Sequence, residues 1–165
     1  MTIPFDFASW PHLAPYGRFG LLGDTAPPGG GPGRVMITSF GHLHDPARRY
    51  RPVTAHRHLA LDVRTLFTDP YLKPEMRELT GRDDPVRANV LAQPGAIPYV
   101  IAQADAIAAL VPAADPGLVD IAIGCAGGRH RSVVIADALA ALLLERHGLG
   151  AEVFHRDIHR PVVRR

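Results

Sequence analysis

The sequence predicts an α/β fold in which helices flank a mostly parallel sheet. Short apolar, β-branched segments alternate with segments of helical periodicity, and one expected strand runs through a glycine-rich loop into a long helix. The length of 165 residues and the hydrophobic content of 47% suffice for one core. Residues 1–34, which are rich in Pro and Gly, are expected to form a partly flexible N-terminal segment, and residues 35–165 to form the folded domain.

Four segments are expected to be strands. The first, "RVMITSFGH", begins apolar and β-branched and stops at Gly41. The second, "HRHLALDVRTLF" (56–67), alternates apolar and polar residues and should deliver polar groups at its end. The third, "LVDIAIGCA" (118–126), is a short apolar run of the kind found in a covered strand, and the last is "AEVFHRDI".

Three segments show helical spacing: "DPVRANVLAQPG", "GAIPYVIAQADAIAALVP" and "RSVVIADALAALLLERHG". In the third, Ile135, Leu139, Leu142 and Leu143 recur on one face, and Gly148 is a good C-terminal stop. The stretch "TDPYLKPEMRELTGRDDPV" before the first helix has two internal prolines. We expect an irregular loop there, with at most a short helix.

Composition limits the functional classes. The net charge is +2 and the pI is about 9.0, which permits anionic partners without requiring them. Cys125 is the single cysteine, so a disulfide within the chain is excluded. No leader pattern and no continuous apolar run long enough for a membrane span is visible, so a cytoplasmic protein without a membrane partner is expected.

No metal or cofactor is predicted. The histidines that invite a metal interpretation lie in two short segments, with no carboxylate or thiolate clearly joined to them, and pairs spaced by two on a strand share a face by geometry alone. They are His42, His44, His56 and His58.

The segment "GCAGGRHRS" has the arrangement of an anion site. The first amides of a helix have no partner within the helix, the helix dipole is positive there, and glycines let the backbone approach a bound group. Arg129, His130 and Arg131 add side-chain charge at the same place. A phosphate or sulfate is the expected occupant. The alternative is a plain turn with solvated arginines.

The spacing from Cys125 to Arg131 and Ser132 resembles the phosphate-binding loop of the protein tyrosine phosphatases. In that family a thiolate attacks phosphorus and the arginine holds the equatorial oxygens. A leaving-group acid is also needed, and Asp83 or Asp84 is the candidate. Gly124 stands where that family usually has a histidine. A cysteine-dependent phosphatase with Cys125 as nucleophile is therefore kept as the alternative, and the first hypothesis has no catalytic residue.

Five blocks of the sequence together resemble the C-terminal domain of the RapZ family, the RNase adapter and nucleotide-binding proteins of bacteria. They are "SFG" (39–41), "LDVR" (61–64), "DPYLKPEMRELTGRDDPV" (69–86), "AIGCAGGRHRSV" (122–133) and "HRDI" (155–158). In that family a P-loop domain precedes this one. No G-x-x-x-x-G-K-[ST] occurs in the sequence, so nucleoside triphosphate binding is not carried over.

The resemblance implies a sensing or adapter domain for a small phosphosugar, which is glucosamine 6-phosphate in the characterised adapter. It also implies RNA binding, a protein partner and self-association as a homo-oligomer. The candidate RNA contacts come from the basic C-terminal cluster and are Arg156, Arg160, Arg164 and Arg165, with solvated surface arginines as the alternative. The implied ligand site comprises Asp62, Arg64, Tyr71, Thr80, Gly81, Cys125, Ala126, Gly127, Gly128, Arg129, His130, Arg131 and Ser132.

Roles for these residues follow from their chemistry. Loop amides and the Arg131 guanidinium are expected to hold the phosphate, because the planar fork of arginine matches two oxygens. Asp62 either accepts hydrogen bonds from sugar hydroxyls or pairs with Arg64 or Arg131. Ala126 replaces a common Thr and Tyr71 a common His, so the identity of the sugar stays open.

Overall fold

The computed structural model describes residues 35–44, 58–114 and 118–163. Its sheet has four strands, all parallel, in the order β2-β3-β1-β4. The strands are β1 (Val35–Gly41), β2 (Leu59–Asp62), β3 (Val119–Cys125) and β4 (Ala151–His155). The predicted α/β class and parallel sheet are confirmed. The expected N-terminal segment 1–34 lies outside the described residues, as do His56, Arg164 and Arg165.

The register brings the carboxyl ends of the strands to one edge. Gly41 lies opposite Cys125, and Asp62 lies opposite Gly124. On the other side of β1, Ser39 lies opposite His155. In open parallel sheets this edge is where ligands collect.

Three helices accompany the sheet: α1 (Asp84–Leu91), α2 (Ala96–Leu110) and α3 (Arg131–His147). The helix α3 packs on β1, β3 and β4, and α2 packs on α3. The fully buried side chains of α3 include Ile135, Leu139 and Leu143, as the periodicity of this segment predicted. It ends at Gly148, whose φ of 63° is the left-handed conformation expected of a glycine stop.

The stretch Ala96–Ala113 has a mean hydropathy of 1.5 and could cross a membrane by length and composition alone. Its buried positions, Ala96, Val100, Ala104 and Ile107, recur every three or four residues, as in a core helix that packs along one side. On the exposed side, Asp105 pairs with Arg146 and His147 of α3. This is the packing of a helix within an α/β domain.

The strand β2 is shorter than the predicted stretch 56–67. The backbone N–H and the guanidinium of Arg64 both donate to the Asp62 carboxylate, and the chain bends at residues 64–67 after the strand. The following irregular stretch contains two short 3-10 turns, Pro70–Leu72 and Pro74–Met76, each beginning at a proline. This agrees with the irregular loop expected from the prolines.

A buried polar chain joins α3 to the edge of the sheet. Ser39 Oγ lies 2.8 Å from His155 Nδ1, and His155 Nε2 lies 3.0 Å from Asp137 Oδ1. These are the residue types of a hydrolase triad, but Ser39 is 0% exposed, so a substrate cannot reach its hydroxyl. These two hydrogen bonds therefore hold β1, β4 and α3 together.

Candidate functional site

The loop from Ala126 to His130 connects β3 to α3 and lies against the end of β1. A Cβ on Gly41 would lie 2.5 Å from the carbonyl carbon of Gly127, and a Cβ on Gly128 would lie 2.5 Å from the Gly41 nitrogen. Gly128 also has a φ of 67°. Only residues without a side chain permit this contact between the two backbones.

The helix α3 begins beside this loop without a side-chain cap on its first turn. Its first amides therefore point out of the helix end with the positive end of the dipole. A Cβ on Gly127 would meet nothing within 4 Å, so the space in front of the loop is open at that residue. The thiol of Cys125 accepts the Gly128 N–H at 3.2 Å and lies 3.1 Å from Ser132 Oγ.

Arg131 is 3% exposed, and its guanidinium is used inside the protein. It donates to Asp69 Oδ2 at 2.6 Å and to the carbonyls of Arg64 and Phe67 at 2.6 and 2.8 Å. Its Nε is buried and finds no acceptor within the described part of the chain. The observed contacts of Arg131 thus position residues 64–69, and a direct phosphate contact remains a prediction that rests on the Nε–H.

Arg129 and His130 hold the loop against its neighbours. Arg129 donates from Nε to the Leu79 carbonyl at 3.0 Å and from NH2 to the Glu78 carbonyl. His130 Nε2 lies 2.8 Å from the same Leu79 oxygen. In return, the Gly81 N–H donates to the Arg129 carbonyl at 2.8 Å. The Thr80–Gly81 turn therefore lies next to the start of α3, where it was expected.

These elements line a small pocket at the strand ends, with a cavity volume of about 20 Å³. Five residues of the predicted site line it: Tyr71, Cys125, Gly127, Arg129 and His130. Sequence reasoning missed its remaining lining residues, which are Asp69, Pro161, Val162 and Val163. Asp69 stands at the start of the quoted "DPYL" block, so the block contained its signal.

Asp62 and Arg64 do not line this pocket. They form an exposed ion pair at 2.6 Å, one of the two alternatives given for Asp62. Hydrogen bonds from Arg64 lower the pKa of Asp62. His42 Nε2 lies 3.9 Å from the same carboxylate, and burial, followed by the charge of Arg64, lowers the pKa of His42.

The two acids expected to serve a phosphatase both have partners close to them in the sequence. Asp83 Oδ2 accepts the Thr80 N–H at 2.7 Å and the Thr80 hydroxyl at 2.8 Å. Asp84 pairs with Arg87 on α1. The Cys125 thiol lies beside the Gly128 amide, but the Arg131 guanidinium, which the phosphatase hypothesis needs for equatorial oxygens, is turned toward Asp69.

Two of the basic residues expected to bind RNA contact one buried carboxylate. Arg156 NH2 and Arg160 Nε lie 2.6 and 3.0 Å from Asp157, which is fully buried and also accepts the Gly41 N–H at 2.8 Å. Arg164 and Arg165 lie outside the described residues. Within the described ranges, no group of three or more His, Cys, Asp or Glu side chains could hold a metal ion.

Comparison with known proteins identifies the family. A protein-family model described as the RapZ C-terminal domain matches residues 33–159. A nucleotide-binding protein of Thermobifida fusca is 38% identical over 77% of this chain and 41% of its own length. Similar proteins of Clavibacter michiganensis and Sorangium cellulosum are 37% and 39% identical over 77% and 62% of the chain, and over 42% and 30% of their own lengths. The chain thus spans less than half the length of these relatives, and it belongs to the RapZ C-terminal domain family.

Proposed function

We propose that this domain binds a small phosphorylated molecule, of the class of glucosamine 6-phosphate, and relays its presence to a macromolecular partner. The observation that carries the proposal is the start of α3, which has no side-chain cap from His130 and lies beside Gly127 of the pocket lining, on the carboxyl edge of a parallel sheet. The first amides of a helix and its dipole together favour a phosphate at such a place.

The charges around the pocket support an anion. Arg129 and His130 line it, and Asp69, the carboxylate on its wall, is paired with Arg131 at 2.6 Å. The buried Nε–H of Arg131 has no acceptor among the described residues, but Arg131 does not line the pocket, so its contact with a bound anion stays a prediction from the sequence.

A phosphosugar fits the proposal better than a nucleoside triphosphate. The cavity volume of about 20 Å³ is far below the roughly 300–1,000 Å³ of ordinary ligand sites, so a sugar phosphate would enter only if a wall of the pocket moved, and a larger nucleotide would need a still larger opening. The relatives are named nucleotide-binding proteins, but this chain aligns with only 30–42% of their lengths and contains no P-loop motif. We therefore assign the phosphosugar, and no nucleotide, to this pocket.

The test is a thermal-shift titration of the wild type and Gly127→Ala with glucosamine 6-phosphate, inorganic phosphate and glucosamine. A Cβ at Gly127 meets no atom of the described residues within 4 Å, so the substitution adds a methyl group to a residue of the pocket lining without a clash there. A ligand at a hundred times its Kd adds about 2.7 kcal/mol, which is a rise of roughly 5–10 °C in Tm.

We expect glucosamine 6-phosphate and inorganic phosphate to raise the Tm of the wild type but not the Tm of Gly127→Ala. Glucosamine should change the Tm of neither protein. The unliganded Tm of Gly127→Ala should equal that of the wild type. An equal ligand-induced rise in both proteins would contradict a site at this loop.

The cysteine-dependent phosphatase is the second candidate, favoured by the Gly128 N–H and the Ser132 hydroxyl beside the Cys125 thiol. Turnover of p-nitrophenyl phosphate by the wild type that disappears in Cys125→Ser would support it. We expect no turnover, because the Arg131 guanidinium donates to Asp69 and to backbone carbonyls.

Family membership also supports RNA contact, a protein partner and self-association in the cytoplasm as parts of the proposed function. RNA contact is assigned to the C-terminal basic cluster: Arg156, Arg160, Arg164 and Arg165. RNA retention in a filter-binding assay should weaken steeply with added salt and with Arg164→Ala/Arg165→Ala, which leaves the pairs on Asp157 intact.

Self-association is tested by light scattering, which measures the number of subunits. A monomer at all concentrations would reject self-association.

A further inference from the structure

The outer wall of the pocket is formed by Pro161, Val162 and Val163, which follow the turn after β4. The two valines are half-buried, and they face a floor that includes Gly127, Arg129 and His130. An apolar segment thus covers the polar surface to which we assign the phosphate. We call residues 161–163 the cover.

Among the described residues, hydrogen bonds hold the cover only at the end where it begins. The last backbone hydrogen bond before it joins the Arg160 N–H to the Asp157 carbonyl at 3.1 Å. Arg129 NH1 donates to the carbonyls of Ile158 and Arg160, both at 3.2 Å. Within the described ranges, residues 161–163 make no hydrogen bond of their own. A segment held by apolar contacts alone opens at low cost.

Arg129 joins the cover to the pocket. Its guanidinium lines the pocket and also holds the two carbonyls that precede the cover. An anion that accepts hydrogen bonds from NH1 of this guanidinium competes with those carbonyls, because both NH1 protons are donated to them. Binding in the pocket therefore weakens the attachment of the cover.

We propose that residues 161–163 are a displaceable cover, so that entry of a phosphorylated ligand releases the C-terminal segment. This inference rests on the proposed function and adds its regulation. Binding and release are reciprocal: a ligand that opens the cover binds more tightly when the cover is already removed. Ligand binding would thus be signalled to a partner by exposure of the residues that follow Arg160.

Two variants test the cover. One ends at Arg160, and the other keeps full length but replaces the wall by Pro161→Gly/Val162→Ser/Val163→Gly. Phe154→Ser is the matched control, because Phe154 is a large apolar residue, 64% exposed, and is absent from the pocket lining. Affinities for glucosamine 6-phosphate and inorganic phosphate are measured by calorimetry. In the wild type, carboxypeptidase digestion with and without ligand is followed by mass spectrometry.

We expect both variants to bind on the order of fivefold more tightly or better, the lower end of common coupling strengths, and Phe154→Ser to match the wild type. Ligand should also speed the release of Val163 and Val162 by carboxypeptidase. Unchanged or weaker affinity in both variants, or ligand that slows digestion, would overturn the cover while leaving the proposed function standing. Failure of the wild type to bind either compound would instead overturn the proposed function.

Discussion

Two Arg–Asp pairs in this protein have the same length and opposite surroundings, so they predict very different mutational costs. Arg131 lies 2.6 Å from Asp69 with side chains 4% and 11% exposed, and Arg64 lies 2.6 Å from Asp62 with side chains 46% and 47% exposed. Removing one partner of a buried pair costs about 3–5 kcal/mol, because the other charge stays buried. An exposed pair contributes about 0–1 kcal/mol.

We therefore expect Arg131→Ala to lower the free energy of unfolding by about 3–5 kcal/mol, since the guanidinium also holds the Arg64 and Phe67 carbonyls. For a chain of this size that is a fall of roughly 6–20 °C in Tm. Arg64→Ala should cost less than about 1 kcal/mol. Both are measured by urea unfolding followed by circular dichroism.

Double-mutant cycles separate the pairing from other effects of each substitution. The cycle of Arg131→Ala with Asp69→Asn should give a coupling free energy of roughly 1–3 kcal/mol, and that of Arg64→Ala with Asp62→Asn less than about 0.5 kcal/mol. Equal costs for the two arginines, or no coupling between Arg131 and Asp69, would refute the assignment of Arg131 as the residue that positions 64–69.

Three further predictions concern acid stability and two glycines. Burial and the charge of Arg64 lower the pKa of His42 below its usual 6.5; Arg156 adds to this shift and Asp62 opposes it. Near pH 6.5 the unfolded state therefore binds more protons than the folded state. The free energy of unfolding should fall as the pH drops through 6.5. His42→Gln should flatten the dependence of Tm on pH between about 7.5 and 5; an unchanged slope would contradict this origin. Gly128→Ala combines a left-handed φ of 67° with a Cβ 2.5 Å from the Gly41 nitrogen and should cost roughly 2–5 kcal/mol in urea unfolding, whereas Gly127→Ala should cost almost nothing. Gly148→Ala should cost about 1 kcal/mol from its φ alone, since no atom lies within 4 Å of the added Cβ; a loss as large as that at Gly128 would mean that helix capping was misjudged.

The sequence was sufficient for the order and type of the main elements because those follow from local periodicity. The apolar run that became β3 and the spacing of Ile135, Leu139 and Leu143 in α3 are properties of neighbouring residues. The end of β2 at Asp62 was harder to locate, because the chain turns there through a side-chain contact with Arg64 and not through Gly or Pro.

The candidate site was only partly predictable, because its members are brought together by tertiary contacts. Block matching found Cys125, Gly127 and His130, which are close in sequence. It could not show that Arg131 turns to Asp69, far away in the sequence, or that the pocket is closed by residues that follow β4. Side-chain direction at the start of α3 depends on which carboxylate the rest of the fold places beside it.

The buried carboxylate of Asp157 has a consequence for biosynthesis. It accepts the Gly41 N–H, and its Cβ lies 2.9 Å from where a Cβ on Gly128 would stand, so it supports the glycine loop from behind. Residues 155–160 are translated after the three helices α1 to α3 and after the strands β1 to β3. A nascent chain that already contains the loop and α3 therefore lacks this support, and the loop should reach its folded conformation only when translation has passed the turn after β4.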